Sequence, residues 1–220
     1  WNVPAHTIHV LPDDIRMDHA ALIEPVAVAC HDVRLSGLVA GEDVLVIGGG
    51  PIGALVAMVA RGAGGNVVVS EVNPHRLAIM EKLGFKTVNP AEKDLASEID
   101  TLTKGKGADV LFEVSGTQPG VEAMTACAAT RARIVMVAIH AQKPQIDLFQ
   151  FFWRELEMKG ARVYEPQDYE NAIAQIVNGD IDAETLITDV SPLADIQTAF
   201  EQLDANPTAM KSLIKVGETA

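Results

Sequence analysis

The apolar residues of this chain fall into short runs that alternate with longer segments of helical character. Residues 44–47 and 67–69 are rich in β-branched side chains and are bounded by glycine, asparagine or charge, as buried parallel strands are. Between them, residues 51–63 are rich in Ala, Leu, Val and Met, which favours a buried helix. The pattern predicts a strand, a glycine turn, a helix and a second strand.

The same alternation continues through the middle of the chain. We predict a helix over residues 73–83, a strand over 109–114, a helix over 120–129 and a strand over 134–139. Parallel neighbours need crossover connections, which are nearly always right-handed. The predicted fold class is therefore α/β, with a doubly wound parallel sheet.

The two flanks break this alternation. Residues 1–23 contain prolines and short apolar pieces, whereas residues 24–39 have helical spacing. Beyond Tyr164 the pattern predicts a helix, an extended stretch, a second helix and a terminal strand, over 168–177, 186–190, 193–203 and 212–216. We therefore divide the chain into a first segment 1–23, a linker helix 24–40, a sheet domain 41–164 and a last segment 165–220.

Composition and charge narrow the class of protein. The 220 residues are 48% hydrophobic and 21% charged, with a formal net charge of −13. This charge would repel nucleic acid and anionic membranes, and no apolar run approaches the roughly 20 residues of a membrane span. Cys30 and Cys127 are too few for a disulfide framework. We expect a cytoplasmic protein whose partners are small molecules or copies of itself and, since the chain begins at Trp1 rather than Met, further sequence upstream.

A glycine-rich turn between the first predicted strand and helix is the strongest chemical signal. A bound phosphate needs backbone N–H donors and the positive end of a helix, in a turn tight enough to exclude Cβ atoms. Gly48, Gly50 and Gly53 have the G-x-G-x-x-G spacing, with Pro51 and Ile52 between the last two. In this strand–turn–helix context the motif predicts a Rossmann-type site for the pyrophosphate of a dinucleotide, rather than a turn without a ligand.

An acidic and a basic residue follow the second predicted strand. Glu71 lies where a carboxylate can accept both hydroxyls of the adenosine ribose, and its charge would repel a 2′-phosphate. The sequence therefore favours NAD over NADP. Arg76 either adds a hydrogen bond to the ribose or is a solvated charge on the next helix.

Small residues stand at the ends of two later strands. Ser115 and Gly116 follow one of them, and Ala138 and Ile139 end the other. Ligands of open α/β sheets bind at the carboxyl ends of the strands. We predict cofactor contacts at all four residues, although small side chains there also suit packing.

Taken together, the motifs resemble the medium-chain dehydrogenase/reductase superfamily and, within it, the zinc-dependent alcohol and polyol branch. That branch includes sorbitol, threonine and 2,3-butanediol dehydrogenases. Glu24-Pro25 at the head of a helix that leads into the strand and glycine turn is the most telling feature. The resemblance covers nearly the whole chain, through residues 21–31, 43–53, 112–116, 154–156, 159–164, 186–188, 192–193, 199–201 and 211.

The resemblance implies a fold, an activity and cofactors. Residues 1–23 and 165–220 would be remnants of a GroES-like catalytic domain, and the sheet domain would hold NAD. The implied reaction transfers a hydride between a secondary alcohol, diol or polyol and nicotinamide, with a zinc ion on the alcohol oxygen. Glu24 matches a position at or near that zinc, while the family's first ligands, a Cys and a His-Glu pair, are expected upstream. The six histidines form no metal motif, and we interpret them as surface or packing residues.

Three features depart from the family pattern or have two interpretations. Arg131-Ala132 and Ala138 stand where the family usually has glycines, so Ala138 would crowd the nicotinamide loop. Arg131 and Arg133 are either solvated charges or new anion contacts. The aromatic run 149–153 is either core or part of an interface, since sheet domains of this family pair edge to edge as homodimers or within homotetramers.

Three hypotheses for function follow. The first is the cofactor-binding part of an NAD-dependent, zinc-type alcohol or polyol dehydrogenase that is not competent by itself. The second is a dinucleotide-binding and dimerising module without catalysis, because the family's first zinc ligands are absent from the sequence. The third is an unrelated nucleotide-using enzyme such as a methyltransferase, which shares an early glycine turn and acid.

Overall fold

Six parallel strands form the central sheet of the protein. The computed structural model describes residues 2–205 and 208–217. The sheet runs in the order β3-β2-β1-β4-β5-β6, which confirms the predicted doubly wound α/β fold. The strands are β1 (Asp43–Ile47), β2 (Asn66–Ser70), β3 (Lys86–Val88), β4 (Ala108–Glu113), β5 (Ala128–Met136) and β6 (Glu157–Gly160). Strands β1 to β3 are added towards one edge of the sheet, and β4 to β6 are added towards the other edge. Because the order of the strands reverses between β1 and β4, a crevice opens at the carboxyl ends of these two strands.

Helices cover both faces of this sheet. They are α1 (Met17–Ala20), α2 (Ile23–Ser36), α3 (Pro51–Gly62), α4 (Pro74–Lys82), α5 (Leu95–Leu102), α6 (Gln118–Ala126), α7 (Leu148–Arg154) and α8 (Pro166–Val177). Strand β1 shows how the faces divide, because successive side chains of a strand point to opposite sides. Val44 and Val46 join a core that includes α2, α3 and α8. Leu45 and Ile47 join a second core with α5 and α6.

A small two-stranded sheet follows α8. It pairs β7 (Ile187–Pro192) with β8 (Lys211–Lys215) in parallel, and α9 (Ala183–Leu186) and α10 (Ile196–Ala205) accompany it. Leu186 and Met210 are buried in the same core as α2 and α3. The domain boundaries drawn from the sequence stay predictions. Within the described ranges, no helix has the length and apolar character that crossing a bilayer requires.

The boundary between α6 and β5 lies earlier than the sequence pattern predicted. Helix α6 ends at Ala126, and β5 begins at Ala128 and ends at Met136. Ala128 pairs with Ala108 of β4, so strand pairing overrides the helix preference of the alanines. Ile139, predicted to end this strand, lies beyond it and is 97% exposed.

Candidate functional site

The glycine turn after β1 is shaped by contacts that a side chain would break. Gly48 has φ 107°, and a Cβ there would lie 3.0 Å from the backbone nitrogen of Ser115. A Cβ on Gly53 would lie 1.8 Å from the carbonyl oxygen of Gly48. The backbone therefore requires glycine at both positions, and the turn brings the start of α3 against the carboxyl end of β1.

The N-terminus of α3 is open to a ligand. Gly50 is the residue that caps it, and it has no side chain that could accept a hydrogen bond from the N–H groups of the first turn. Pro51 occupies the first turn, which contains no acidic residue. The first N–H groups and the helix dipole therefore offer a site for an anion. A Cβ on Gly50 would meet only the guanidinium of Arg76, at 3.5 Å.

Glu71, one residue beyond β2, holds the turn as well as facing the crevice. Its Oε2 accepts a hydrogen bond from Gly49 N at 2.9 Å, and its Oε1 accepts from Val72 N and Asn73 N at 2.7 and 2.8 Å. The side chain is buried. Three of its roughly four acceptor positions are thus used by backbone, and the predicted contacts of Glu71 with the ribose hydroxyls stay a prediction.

Arg76 extends from α4 across the mouth of this turn. Its Nη1 lies 4.0 Å from Glu71 Oε2. Its Nε is buried and has no hydrogen-bond partner among the described residues. A buried donor without a partner costs free energy, so this Nε is available to a ligand, and the contact of Arg76 with a ribose stays a prediction.

One cavity of about 420 Å³ joins these groups at the carboxyl ends of β1, β2 and β4. The predicted site residues that line it are Gly48, Gly50, Pro51, Ile52, Gly53, Glu71, Arg76 and Ser115. The wall also includes residues that the sequence analysis did not single out, among them Pro90, Leu95, Thr117 and Pro119. These residues lie just after β3 or at the starts of α5 and α6. In the sequence, the one sign that they would line a site is that each follows a predicted or short strand.

The remaining predicted contacts lie beside this cavity. Gly116 and the turn 137–140 pack together, since a Cβ on Gly116 would lie 3.2 Å from Ile139 O and 3.5 Å from the Cβ of Ala138. Behind them lies Glu113, the last residue of β4, which is fully buried. In the sequence, Glu113 stands only within one of the motifs that carry the family resemblance. An acid directly after the apolar run 110–112 was the signal that could have found it.

The described residues do not fit a catalytic zinc ion. Glu24 lies exposed in the first turn of α2. It is near Tyr164, whose pKa is raised by burial and by the negative charge of Glu24. No group of three or more His, Cys, Asp or Glu side chains with metal-binding geometry occurs in the described part of the chain, whereas a catalytic zinc takes about three protein ligands. A metal contact at Glu24 stays a prediction, and no chemistry is derived through it.

Two histidines pair with buried carboxylates, which the sequence analysis missed. His31 Nδ1 lies 2.9 Å from Asp168 Oδ2, and Arg34 donates to the same carboxylate from its Nε at 2.8 Å. His140 Nε2 lies 3.3 Å from Glu113 Oε2. The first pair joins α2 to α8, and the second lies beside the crevice.

The two arginines of β5 have structural partners. Arg131 is exposed and forms an ion pair with Glu155 at 2.6 Å. Arg133 donates to the carbonyl of Gly37 and to the carboxylate of Glu42. Both are held by carboxylates, so the interpretation of Arg131 as a surface charge is supported and that of new anion contacts is not.

The aromatic run on α7 is largely outside the core. Phe149, Phe152 and Trp153 are 61%, 77% and 70% exposed, and Phe149 stacks on Trp153 with ring centroids 5.9 Å apart. Phe151 alone of the run packs partly against a core cluster. The core interpretation is therefore wrong for three of these residues, and α7 presents an apolar surface beside edge strand β6.

Comparison with known proteins agrees with the fold. The family model described as zinc-binding dehydrogenase matches residues 51–178. The 2-dehydro-3-deoxy-L-galactonate 5-dehydrogenase of Pseudoalteromonas atlantica is 54% identical over 215 residues, which cover 98% of this chain and 63% of that protein. The (R,R)-butanediol dehydrogenase of Neisseria gonorrhoeae is 31% identical over 211 residues, which cover 94% of this chain and 59% of that protein.

A solved structure shows the same architecture. The crystal structure of 2R,3R-butanediol dehydrogenase from Bacillus subtilis has a TM-score of 0.88 at 31% identity, and the match covers 94% of this chain and 60% of that one. The chain thus spans somewhat under two thirds of the length of these relatives. Since the family model matches more than half of the chain and the same relationship extends over the fold, the chain belongs to the zinc-binding dehydrogenase family.

Proposed function

We propose that this chain binds NAD(H) in the cavity at the carboxyl ends of β1, β2 and β4, as the cofactor-binding part of an NAD-dependent alcohol or polyol dehydrogenase. The observation that carries the proposal is the open N-terminus of α3. There, Gly50 leaves the first turn without a side-chain cap, next to the carboxylate of Glu71 and the buried, unpartnered Nε of Arg76. Backbone donors, one acid and one base line a single cavity of the kind that a dinucleotide needs.

Each group has a distinct part in holding the cofactor. The N–H groups after Gly50 would bind the pyrophosphate, and Glu71 and Arg76 would bind the adenosine ribose. Ser115, Gly116, Ala138 and Ile139 would border the nicotinamide end. When bound, NAD supplies the acceptor for a hydride from an alcohol carbon. The contribution of this chain is to orient that ring and to shield one side of it from water.

The negative charge of Glu71 favours NAD over NADP. The carboxyl group is buried and hydrogen-bonded to three backbone N–H groups, which hold it in place beside the cavity. A 2′-phosphate on the ribose would lie against this charge. Arg76 offsets part of the repulsion, so the preference is one of degree and can be measured.

The substrate class that we favour is a polyhydroxylated acid with a secondary alcohol. The relative that is 54% identical is named for a deoxy sugar acid, whereas others are named for butanediol and threonine.

The non-catalytic, dimerising module remains the competing proposal, because the described residues assemble no metal site. NADH formation from NAD and a sugar acid by the 220-residue chain would eliminate that module.

Pairing of two copies through β6 and α7 forms part of the proposal. Strand β6 is at the end of the sheet order, its four residues are exposed, and α7 adds exposed Phe149, Phe152 and Trp153. Within the described part of the chain, β6 pairs with β5 on one side only, and an edge strand near an exposed apolar surface suits a symmetric partner. A homodimer of this kind, alone or within a homotetramer, would extend the sheet.

Buried free thiols at Cys30 and Cys127 suit a reducing location such as the cytoplasm.

The decisive experiment is a fluorescence titration of the 220-residue chain with NADH. We expect saturable binding that Gly50→Ala weakens by at least about tenfold, or 1.4 kcal/mol, because the added methyl occupies the approach of the pyrophosphate. The fold tolerates this methyl, since its nearest neighbour outside the turn is a flexible guanidinium at 3.5 Å. Gly62→Ala is the matched control, because a Cβ there meets nothing within 4 Å. Absence of binding by the parent at millimolar NADH would refute the proposal, whereas the hypothesis of an unrelated methyltransferase is already wrong because the chain belongs to the zinc-binding dehydrogenase family.

A further inference from the structure

Glu113 connects the ends of two neighbouring strands through both its backbone and its side chain. Its carbonyl oxygen accepts hydrogen bonds from Val137 N and Ala138 N, each at 3.0 Å. Its Oε1 accepts from Ser115 N at 3.0 Å, from Gly116 N at 3.1 Å and from the hydroxyl of Ser115. One fully buried residue thereby holds the turn after β4 and the turn after β5 together.

The second carboxylate oxygen of Glu113 faces His140. The distance from His140 Nε2 to Glu113 Oε2 is 3.3 Å, and the imidazole is 11% exposed. His140 Nε2 is buried and has no hydrogen-bond partner among the described residues, so its approach to Glu113 is a contact at ion-pair distance rather than a hydrogen bond. Among the described residues, His140 is also the one basic side chain within ion-pair distance of this carboxylate. A buried carboxylate is stable only when it is paired, so the contact matters to both residues.

The segment that contains His140 has few other anchors. Strand β5 ends at Met136 and α7 begins at Leu148, with no helix or strand between them. Gln118 forms the other side-chain link, because it donates to Gln145 O and accepts from Gln145 N at 3.0 and 2.8 Å. The position of the segment 137–147 therefore depends on Glu113 near its start and on Gln118 near its end.

We propose that His140 is a positioning residue. By contacting Glu113, it fixes the turn 137–140 against Ser115 and Gly116. This inference rests on the proposed function, in which the nicotinamide end of NAD(H) binds beside these residues. His140 therefore sets the shape of that part of the cofactor site. Ile139 stands at the tip of this turn with 97% of its side chain exposed, which leaves it available to a ligand. His140 touches neither cofactor nor substrate in this proposal and acts through Glu113.

The contact itself is tested without any ligand. Amide hydrogen exchange is measured on the parent chain, His140→Ala, His140→Gln and the control His6→Gln, an exposed histidine on the N-terminal segment. We expect exchange in residues 137–140 and 115–117 to become at least about fivefold faster in His140→Ala, because loss of an anchor permits local opening. His140→Gln, which retains a side-chain N–H donor, should recover most of the protection. Unchanged exchange in His140→Ala would overturn the contact.

The consequence for the cofactor is tested separately. In NADH titrations of the same four chains, His140→Ala should weaken binding by about fivefold while its thermal midpoint stays close to that of the parent, and His140→Gln should bind within about twofold. Faster exchange without weaker binding would overturn the positioning role and leave the proposed function standing. If the parent failed to bind NADH, the positioning role would fall with the proposed function. Hydrogen exchange would still decide whether His140 holds the turn.

Discussion

A Cβ placed on Gly53 would lie 1.8 Å from the carbonyl oxygen of Gly48, inside the glycine turn itself. That oxygen belongs to the backbone and cannot move without displacing β1 or α3. We therefore expect Gly53→Ala to destabilise the protein by about 3 kcal/mol or more, as overpacking at rigid sites does. Urea unfolding followed by circular dichroism measures this. In Gly62→Ala the methyl meets nothing, and the same experiment should show equal or slightly greater stability. A neutral effect of Gly53→Ala would contradict the tight packing of the turn.

Glu71→Gln should affect the cofactor and the turn at the same time. The amide can accept through only one of its atoms, whereas both carboxylate oxygens accept backbone hydrogen bonds in the parent. We expect a loss of stability of about 1–3 kcal/mol, since buried N–H groups lose their acceptor. We also expect a smaller preference for NADH over NADPH, measured as the ratio of the two dissociation constants. Glu81→Gln, at an exposed acid on α4, should leave both quantities unchanged. An unaltered ratio in Glu71→Gln would argue against this carboxylate as the discriminating group.

The interface of α2 and α8 should make stability depend on pH. Burial, together with the negative charge of Asp168, raises the pKa of Asp32 from 3.8 to about 7. The unfolded chain releases this proton at about its ordinary pKa, whereas the folded chain keeps it until pH 7. Between about pH 4 and pH 7 the folded state thus binds more protons than the unfolded state. The contribution of Asp32 to the free energy of unfolding therefore falls as the pH rises through this range. Asp32→Asn should therefore be more stable than the parent by about 1–3 kcal/mol at pH 8, and the difference should vanish near pH 4.

Asp168, in the same interface, has the opposite dependence. Burial acts to raise its pKa, but hydrogen bonds from Arg34, Glu165 N and His31 outweigh burial and bring the pKa to about 2. Its contribution is present above pH 4 and is lost only as the pH falls through about 2. The two aspartates are therefore separable by urea unfolding at several pH values. Equal stability of Asp32→Asn and parent at pH 8 would contradict the buried state of Asp32, whose Oδ2 has no hydrogen-bond partner among the described residues, and Asp180→Asn is the exposed control.

The exposed aromatic residues of α7 should control association. In sedimentation equilibrium at micromolar concentration, we expect the parent to have at least twice the monomer mass of 23.5 kDa. Phe152→Glu, at a side chain that is 77% exposed, should shift the chain towards that monomer mass, because a charge in an apolar interface is not compensated. Val10→Glu places the same charge on an exposed apolar residue elsewhere and should have no effect. A monomeric parent would count against pairing through α7 and β6.

The sequence predicted the elements that have strong local patterns. The β1, α3 and β2 unit has a β-branched run, a glycine motif and an uninterrupted apolar helix, and the structure reproduces it within a residue or two. The predicted pyrophosphate and ribose residues lie around one cavity because the motif fixes the turn and the parallel sheet aligns the strand ends. Their contacts with a cofactor stay predictions.

Other elements depend on partners that no local pattern reveals. Strand β3 has only three residues, and β6 exposes all four of its side chains, so neither has a periodic apolar face. Helices α5 and α7 also escaped prediction, the first with only Leu95 and Ile99 buried and the second with no buried residue. The pairing of His140 with Glu113 joins positions far apart in the chain and becomes visible only when the strands are aligned.

The hydrogen bond from Gly49 N to Glu71 has a consequence for how this protein can change. The group that would choose between two cofactors also supports the loop that would grip their shared pyrophosphate. Cofactor selectivity and binding of the pyrophosphate are therefore linked through one side chain. An engineer who replaced Glu71 to admit a phosphorylated ribose would have to supply a new hydrogen-bond acceptor for Gly49 N. Evolution faces the same constraint, so a single exchange of Glu71 would alter cofactor preference only at a cost to the glycine turn.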